Sequence, residues 1–252
     1  TPSASNDEVP KVPNGYQMCF ADGNQGKVAA EYVRQMVGDG KYEAAQIGVF
    51  YKSDEAYSKG VYDLFRENVG SEIANAMKVT VFTDTNDSDF SQQIEQLKDC
   101  KFIFLPIYYT EAGLIANACV AKSVTAALFG CDGLDGVADQ IDATVKNPVS
   151  YITPFDLHSS SKKSPDFTAA YKAKYNADPD QFAADAYDAA YVIFEAMKAA
   201  GVDDPSISAS DLCGKVVKAI TDASFSFDGV TGKMTWDASG ACAKEPVIVK
   251  LQ

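Results

Sequence analysis

Polar and aromatic side chains follow three of the predicted strands at the points where those strands end. Lys52-Ser53-Asp54 leads to Tyr57 after one strand, Tyr108-Tyr109-Thr110 follows a second, and Cys131-Asp132-Gly133 follows a third. Because the ligand crevice of an open α/β sheet lies beyond the carboxyl ends of its parallel strands, we expect these groups on one rim. A carboxylate suits an ammonium group, tyrosine rings suit a cation or an apolar chain, and helix N-termini suit an anion. The rim therefore predicts a zwitterion site, although each residue alone has a structural explanation as a wall or a helix cap.

Catalytic and metal chemistry lacks the residues it needs. His158, the single histidine, lies in a stretch rich in Ser and Lys, and no GxSxG elbow is present, so a nucleophilic triad and a zinc site are disfavoured. The glycines of 130–136 have the wrong spacing for a dinucleotide loop, and no P-loop is present. Residues 84–95 partly match a calcium loop, but Asp89 stands where glycine is needed, which favours a strand-to-helix turn. The sequence predicts no catalysis, no metal and no cofactor.

Short β-branched or aromatic runs alternate with longer amphipathic patterns between residues 15 and 156. That alternation is typical of stacked βαβ units and predicts an α/β fold with a doubly wound parallel sheet. The predicted strands are 16–20, 45–51, 78–82, 102–108, 126–130 and 149–153. The predicted helices between them are 25–37, 56–69, 89–97 and 111–121.

The pattern changes after residue 156. Amphipathic helices are predicted at 166–175, 180–200 and 208–223, and strands at 232–236 and 246–251. The three helices carry apolar faces but have no sheet of their own to cover. The simplest interpretation is that the sheet on which they would pack precedes Thr1.

Composition and charge exclude several classes of partner. The chain has 22 Lys plus Arg against 35 Asp plus Glu, a net charge of −13, and no basic cluster. Nucleic acids and anionic membranes are therefore poor partners, because their binding depends largely on neutralising phosphates. No stretch is apolar over the roughly 20 residues that cross a bilayer. The six cysteines lack CxxC spacing and are expected to be mostly buried thiols, with Cys213 and Cys242 the pair to watch for a disulfide.

Several stretches, distributed from the first residue nearly to the last, resemble one family. They are 1–6, 25–30, 57–60, 89–91, 104–113, 130–133, 182–190 and 227–232. Among them are the runs Phe104-Leu105-Pro106-Ile107-Tyr108-Tyr109 and Phe227-Asp228-Gly229-Val230-Thr231-Gly232. In that order they resemble the branched-chain amino-acid (Leu/Ile/Val)-binding proteins of ABC importers. The resemblance implies a type I periplasmic-binding-protein fold, in which two α/β lobes joined by three crossovers close on a ligand.

The resemblance also implies a domain organisation with one nearly complete lobe and one incomplete lobe. Residues 24–154 with 237–252 correspond to the second lobe. Residues 1–23 with 155–236 correspond to a remnant of the first lobe, which lacks its N-terminal part. Apolar faces around Phe182, Tyr191 and Phe194 would then be uncovered, and we expect either association of chains through them or partial disorder of residues 166–223.

Seven ligand contacts are implied by the resemblance: Ser3, Ala4, Ser5, Tyr57, Tyr108, Asp132 and Phe182. The first three would offer backbone and hydroxyl groups to an amino acid, the three rings would be aromatic contacts, and Asp132 would receive the ammonium group. Asp132 departs from the family's longer acidic side chain, which leaves about one methylene more room or calls for a water molecule. A second serine contact of the family would lie upstream of Thr1.

The expected function is therefore that of an extracytoplasmic solute-binding protein of an ABC importer. Its ligand would be a branched-chain or other apolar amino acid, its partner a membrane permease, and it would catalyse no reaction. One alternative is a sensory or regulatory domain of the same fold that binds an amide or an organic acid. The other is a doubly wound enzyme, which would need a nucleophile–base pair or a cofactor loop.

Overall fold

The chain passes three times between two units. The computed structural model describes residues 1–12, 14–85, 88–158 and 163–251. Unit 1 comprises Thr1–Ala21 and Pro154–Val247, and unit 2 comprises Asp22–Thr153 and Ile248–Gln252. The parallel sheet of unit 2 and the helices around it confirm the predicted α/β class.

Unit 2 is organised around a sheet of parallel strands. Its strands are β1 (Ile47–Lys52), β2 (Lys78–Phe82), β3 (Phe102–Leu105), β4 (Ala127–Gly130) and β5 (Val149–Thr153), and the C-terminal strand β9 (Val247–Lys250) joins them. The order across the sheet is β2-β1-β3-β4-β5-β9, and β1 to β5 pair in parallel. Strand β3 is buried along its whole length, as its unbroken apolar run Phe-Ile-Phe-Leu predicts.

Helices connect these strands and cover them. They are α1 (Asp22–Gly38), α2 (Ala56–Asn68), α3 (Ser71–Ala76), α4 (Ser91–Gln96) and α5 (Tyr109–Ala121). Gly26 lets α1 approach α2 closely, because a Cβ there would lie 2.6 Å from the carbonyl oxygen of Val61. The main core of the unit contains fully buried Phe50, Ile103 and Leu128, with Ile115 of α5 packed among them.

Unit 1 combines three helices with a small antiparallel sheet. The helices are α6 (Ser164–Tyr175), α7 (Gln181–Ala199) and α8 (Ala209–Ile220). The strands β6 (Phe227–Gly229), β7 (Gly232–Trp236) and β8 (Cys242–Ala243) pair in sequence order. Met18, Val192, Met234 and Trp236 belong to the core that holds these parts together.

A buried polar network fixes α7 to the β6–β7 turn. The carboxylate of Asp188 accepts hydrogen bonds from Val230 N (2.9 Å), Thr231 N (2.9 Å) and Thr231 Oγ1 (2.6 Å). Lys244 Nζ donates to Thr231 Oγ1 (2.7 Å) and to Asp185 Oδ1 (3.1 Å), and both members of this ion pair are fully buried. The network ties the segment after β8 to the same helix.

One predicted strand, 16–20, is wrong. Gln17 N donates to Gly240 O (3.2 Å) and Met18 N donates to Thr1 O (3.1 Å), so successive amides find partners on different segments. Such hydrogen bonds anchor a connecting segment, but they do not form the repeated pairing of a β-strand. Helix α3 and strands β6 and β8, each of six residues or fewer, were not predicted separately.

The third crossover falls later in the chain than the resemblance implies. Residues 237–247 belong to unit 1, whereas the predicted division places them with the second lobe. Strand β8 pairs with β7 through Thr235 and Trp236, and Lys244 is held by Asp185, so this segment is bonded to unit 1.

Helices α6 and α7 carry large exposed aromatic side chains. A groove of 1440 Å³ runs between these helices and residues 224–230. Along α7, Phe182, Tyr191 and Phe194 are 43%, 45% and 55% exposed. The apolar face predicted around these residues is therefore present in unit 1.

Two further sequence predictions concern cysteines and membrane spans. Cys213 and Cys242 are both free thiols, so the structure does not form the disulfide considered for them. In the described ranges, every helix falls short of the length and apolar character that a bilayer crossing requires.

Candidate functional site

The carboxylate of Asp132 lies at the carboxyl end of β4. The strand ends at Gly130, and Asp132 begins a short 3-10 helix, Asp132–Leu134. The residue is only 8% exposed. Tyr57 Oη donates a hydrogen bond of 2.8 Å to its Oδ1, so two residues of the predicted rim are in direct contact.

Helix α2 delivers the Tyr57 ring to this position. Glu55 caps the helix, because its carboxylate accepts from Tyr57 N (3.0 Å) and Ser58 N (2.7 Å). Tyr57 therefore occupies the first turn, where its backbone is fixed and its ring is buried.

Gly133 completes the hydrogen bonding of the Tyr57 hydroxyl. Its N–H donates to Tyr57 Oη at 3.0 Å, so the hydroxyl accepts from Gly133 while it donates to Asp132. A Cβ at position 133 would lie 2.9 Å from that hydroxyl and 2.7 Å from Ile107 O. Only glycine permits the tyrosine to approach the turn this closely.

Tyr108 forms the adjoining wall. It is the N-cap residue of α5, directly after the end of the β3 region. Its ring stacks on Tyr57 with centroids 4.9 Å apart and an angle of 21° between planes, and it is 43% exposed. The structure thus brings Tyr57, Tyr108 and Asp132 together as one aromatic and acidic cluster in unit 2.

Burial makes the Asp132 carboxylate energetically costly. It raises the pKa of Asp132 from its ordinary value of 3.8 to about 6, against the lowering effect of hydrogen bonds from Tyr57 and of the Gln25 side chain. A shift of this size corresponds to about 3 kcal/mol of stability that is lost as the pH rises from 4 toward 7 and the buried group ionises. A cation bound at the carboxylate would offset that cost.

The surroundings of the cluster are negative. Burial is the main reason that the pKa of Tyr108 is raised to about 12, and nearby carboxylates add to it. Those carboxylates belong to Glu55, Asp132, Asp22 and Glu111. Both tyrosine hydroxyls stay protonated at neutral pH, since burial raises the pKa of Tyr57 as well. The cluster can accept a cation and place it against neutral aromatic rings.

The other predicted rim residues have structural roles. Lys52 Nζ pairs with Asp84 (2.5 Å) and lies 3.6 Å from a Glu111 oxygen. Asp54 Oδ2 accepts from Asp84 N (3.0 Å), and Ser53 Oγ donates to the carbonyl oxygen of the last residue of β2 (3.3 Å). These bonds join the ends of β1 and β2, so Lys52-Ser53-Asp54 does not belong to the Asp132 cluster.

The remaining predicted contacts lie in unit 1. Ser3 and Ser5 are partly buried and Ala4 is exposed, and Gln17 Nε2 donates to Ala4 O at 3.0 Å, which anchors this segment. Phe182 is the second residue of α7. Among the described residues, no hydrogen bond or ring contact joins Phe182 to residues 3–5.

Sequence reasoning missed Gln25 and the part played by Gly133. Gln25 Oε1 accepts the backbone N–H of Asp132 at 3.1 Å from the first turns of α1. A polar residue at the start of an amphipathic helix normally faces solvent, but Gln25 is fully buried. The position alone carried no signal for this contact.

His158 is exposed, and its backbone N–H donates to Asp156. Burial raises the pKa of Cys131, the thiol beside Asp132, well above its usual range, which disfavours the nucleophilic thiolate form. Within the described ranges no cluster of three metal-ligating side chains occurs. Asn86 and Asp87 of the calcium-loop match lie outside the described residues.

The sequence model of the periplasmic binding protein family matches residues 1–249. The chain belongs to this family. That match confirms the resemblance inferred from the sequence stretches and, with the solved structures below, the type I fold.

Individual relatives bind amino acids or aromatic acids. A leucine-, isoleucine-, valine-, threonine- and alanine-binding protein of Pseudomonas aeruginosa is 27% identical over 95% of this chain and 61% of its own length. The branched-chain amino acid transporter substrate-binding protein LivJ of Streptococcus pneumoniae, solved with isoleucine, is 28% identical with a TM-score of 0.78, and the match covers 99% of this chain and 72% of LivJ. A solute-binding protein of R. palustris, solved with benzoate, shares the fold at 16% identity and a TM-score of 0.80, covering 100% and 67%. The chain thus spans about three-fifths of the length of the curated relatives that it matches.

Proposed function

We propose that this protein is a solute-binding protein that takes up an amino acid for an ABC importer and catalyses no reaction. The observation that supports this most is the buried Asp132 carboxylate, held by Tyr57 beside the stacked Tyr108 ring. An α-ammonium group placed against Asp132 would form a charge-assisted hydrogen bond.

Charge is the main argument for an ammonium-bearing ligand. Asp132 is almost removed from water, and carboxylates surround the neighbouring Tyr108. An ammonium ion would relieve the cost of the buried charge, and a hydrogen bond of this kind contributes about 1.5–3 kcal/mol. Closure without a ligand would remove the charged carboxylate further from water with no ligand cation to offset the cost, which is unfavourable.

The aromatic pair supports an apolar side chain on that ligand. The exposed ring of Tyr108, stacked on the buried ring of Tyr57, offers apolar surface next to the carboxylate, and neither hydroxyl ionises at neutral pH. Relatives at 27% and 28% identity are named for branched-chain amino acids, and one is solved with isoleucine. We therefore propose leucine, isoleucine or valine as the preferred ligands.

An aromatic acid is the competing ligand class, because a solved structure of the same fold holds benzoate. Asp132 argues against that class for this chain. A ligand carboxylate beside this buried carboxylate would be repelled, and a benzoate has no ammonium group to offset it. A sensory domain that binds such acids is therefore a weaker proposal than an amino-acid-binding protein of an importer.

Unit 1 and unit 2 are proposed to be the two lobes of the binding protein. Residues 3–5 and Phe182 would supply contacts from the first lobe, with backbone and hydroxyl groups directed to the ligand carboxylate. The partner would be a membrane permease that recognises the closed, occupied form, and the protein would act outside the cytoplasmic membrane.

A thermal-shift screen of the full-length gene product against the twenty amino acids and benzoate tests the proposed function. A ligand at 100 times its Kd stabilises the folded state by about 2.7 kcal/mol, which is readily measured. We expect stabilisation by one or more aliphatic amino acids and none by benzoate. Stabilisation by benzoate alone, or by no amino acid, would contradict the proposal.

Uptake measurements separate the importer from a sensory domain. Deleting the gene should abolish uptake of the radiolabelled amino acid that the screen identifies. A strain that keeps normal uptake but loses a transcriptional response to the ligand would favour the sensory alternative.

A further inference from the structure

Gln25 is a fully buried glutamine that joins α1 to the turn after β4. Its Oε1 accepts the backbone N–H of Asp132 at 3.1 Å, across 107 positions of sequence. The neighbouring Gly26 brings α1 against α2, so the amide lies within a closely packed region. This contact fixes the backbone from which the Asp132 carboxylate projects.

The other end of the same amide is unusual. Gln25 Nε2 is buried and makes no hydrogen bond within the described residues. A buried amide donor without a partner is unfavourable, so its presence calls for a compensating role. The Gln25 side chain lowers the pKa of Asp132, and its bond to the Asp132 backbone holds the carboxylate where it accepts from Tyr57 Oη.

Two side chains therefore counter the effect of burial on Asp132. Tyr57, from α2, donates directly to Oδ1, and Gln25, from α1, holds the backbone N–H and lowers the pKa. The Tyr57 contact belongs to the proposed ligand site itself. The Gln25 side chain has no exposed surface and contacts Asp132 from the interior of the unit.

We propose that Gln25 is a positioning residue: by accepting the Asp132 backbone N–H, it holds the carboxylate where Tyr57 Oη donates to it. Affinity for an ammonium-bearing ligand, and the pH at which that affinity is lost, would then both depend on Gln25. The expected change in ligand affinity rests on the proposed function. The effect of Gln25 on Asp132 does not, because it exists in the ligand-free protein.

Other titratable groups also face Asp132 and must be considered in any pH measurement. They are Tyr57 on α2, Tyr108 at the start of α5, and Cys131 and Asp135 in the same turn, while Asp22 at the start of α1 acts on Tyr108 and Cys131. The tyrosines and Cys131 have raised pKa values and stay neutral near pH 6. Asp135 raises the pKa of Asp132, so it acts against Gln25.

Two substitutions separate the functions of the amide. Gln25→Met keeps an unbranched side chain of similar size but removes the acceptor and the amide dipole. Gln25→Glu keeps the acceptor for Asp132 N and replaces the donor with a second carboxylate. Gln35→Met is the matched control, because Gln35 lies on the same helix and is exposed.

The experiment follows the Asp132 carboxyl directly by NMR in the full-length gene product labelled with 13C-aspartate, with the signal assigned by its loss in Asp132→Asn. We expect Gln25→Met to raise the pKa of Asp132 by on the order of one unit. Gln25→Glu should raise it further through like-charge repulsion, with the two carboxyls titrating as a coupled pair. Gln35→Met should leave it unchanged.

Calorimetry with the preferred amino acid across pH 5 to 8 gives the second readout. Gln25→Met should weaken binding by about tenfold near pH 6 and move the loss of affinity to higher pH. If both Gln25 variants kept the wild-type pKa of Asp132, the inference would be overturned, even if they were less stable. Failure of the wild type to bind any amino acid would contradict the proposed function, but the NMR titration would still decide the role of Gln25.

Discussion

The hydroxyl of Tyr57 donates a 2.8 Å hydrogen bond to Oδ1 of Asp132, although the two residues are 75 positions apart in the chain. The same hydroxyl accepts the N–H of Gly133, so one oxygen connects the first turn of α2 to the turn after β4. This contact gives the buried carboxylate a fixed direction before any ligand arrives. Such preorganisation reduces the ordering cost of binding.

The first prediction concerns pH. Because burial raises the pKa of Asp132 to about 6, the carboxyl becomes neutral below that pH and loses its attraction for an ammonium group. Affinity for the amino acid should therefore fall about tenfold between pH 7 and pH 5. Calorimetry at several pH values measures this, and an affinity that stays constant down to pH 5 would rule out titration of Asp132 in the site.

The second prediction concerns the tyrosine hydroxyl. Tyr57→Phe removes the donor to Asp132 and leaves Gly133 N–H without its acceptor, so we expect amino-acid affinity to fall by about tenfold. Tyr62→Phe is the control, since Tyr62 lies on the same helix and its hydroxyl accepts a long 3.3 Å bond from Arg66. Equal affinities for the two variants in calorimetry would remove the Tyr57 hydroxyl from the proposed mechanism.

A third prediction tests the buried ion pair of unit 1. Lys244→Met leaves the carboxylate of Asp185 buried without its cation, which should lower the free energy of unfolding by about 3–5 kcal/mol. Lys198→Met, which breaks the exposed pair with Glu195, should cost about 1 kcal/mol or less. Urea denaturation measures both free energies of unfolding. Equal decreases would show that the buried pair stabilises the protein no more than the exposed pair.

The fourth prediction concerns the exposed aromatic face of α6 and α7. Contiguous apolar surface of this kind favours association, so we expect the 252-residue chain to form assemblies through it. Replacing Tyr191 and Phe194 by Ser should lower the mean mass in light scattering, whereas Val120→Ser on α5 should not. A monodisperse wild-type monomer with slow amide exchange in α6 to α8 would contradict the prediction.

Much of the fold follows from sequence pattern. Strands β2 and β5 have the bounds that the sequence predicts, 78–82 and 149–153, and the long helices follow their 3.6-residue periodicity. The predicted strand at 16–20 failed because an apolar run does not reveal which partners its amides will find. Short elements such as β8 carry too few residues to show a period.

The candidate site was predictable only in part. The rule that ligands meet the carboxyl ends of parallel strands indicated Tyr57, Tyr108 and Asp132, which the structure brings together. The same rule also indicated Lys52, which instead pairs with Asp84. The sequence did not indicate a role for Gln25, because its contact joins residues 107 positions apart and depends on how α1 packs. No local sequence pattern predicts such a contact.

Isothermal titration calorimetry of Asp132→Ala in the full-length gene product tests the central claim most directly. If Asp132 binds the ammonium group of an amino acid, the variant should bind that amino acid about tenfold or more weakly at pH 7 than the wild type. Unchanged affinity in a folded variant would exclude Asp132 from the site and contradict the proposed mode of recognition.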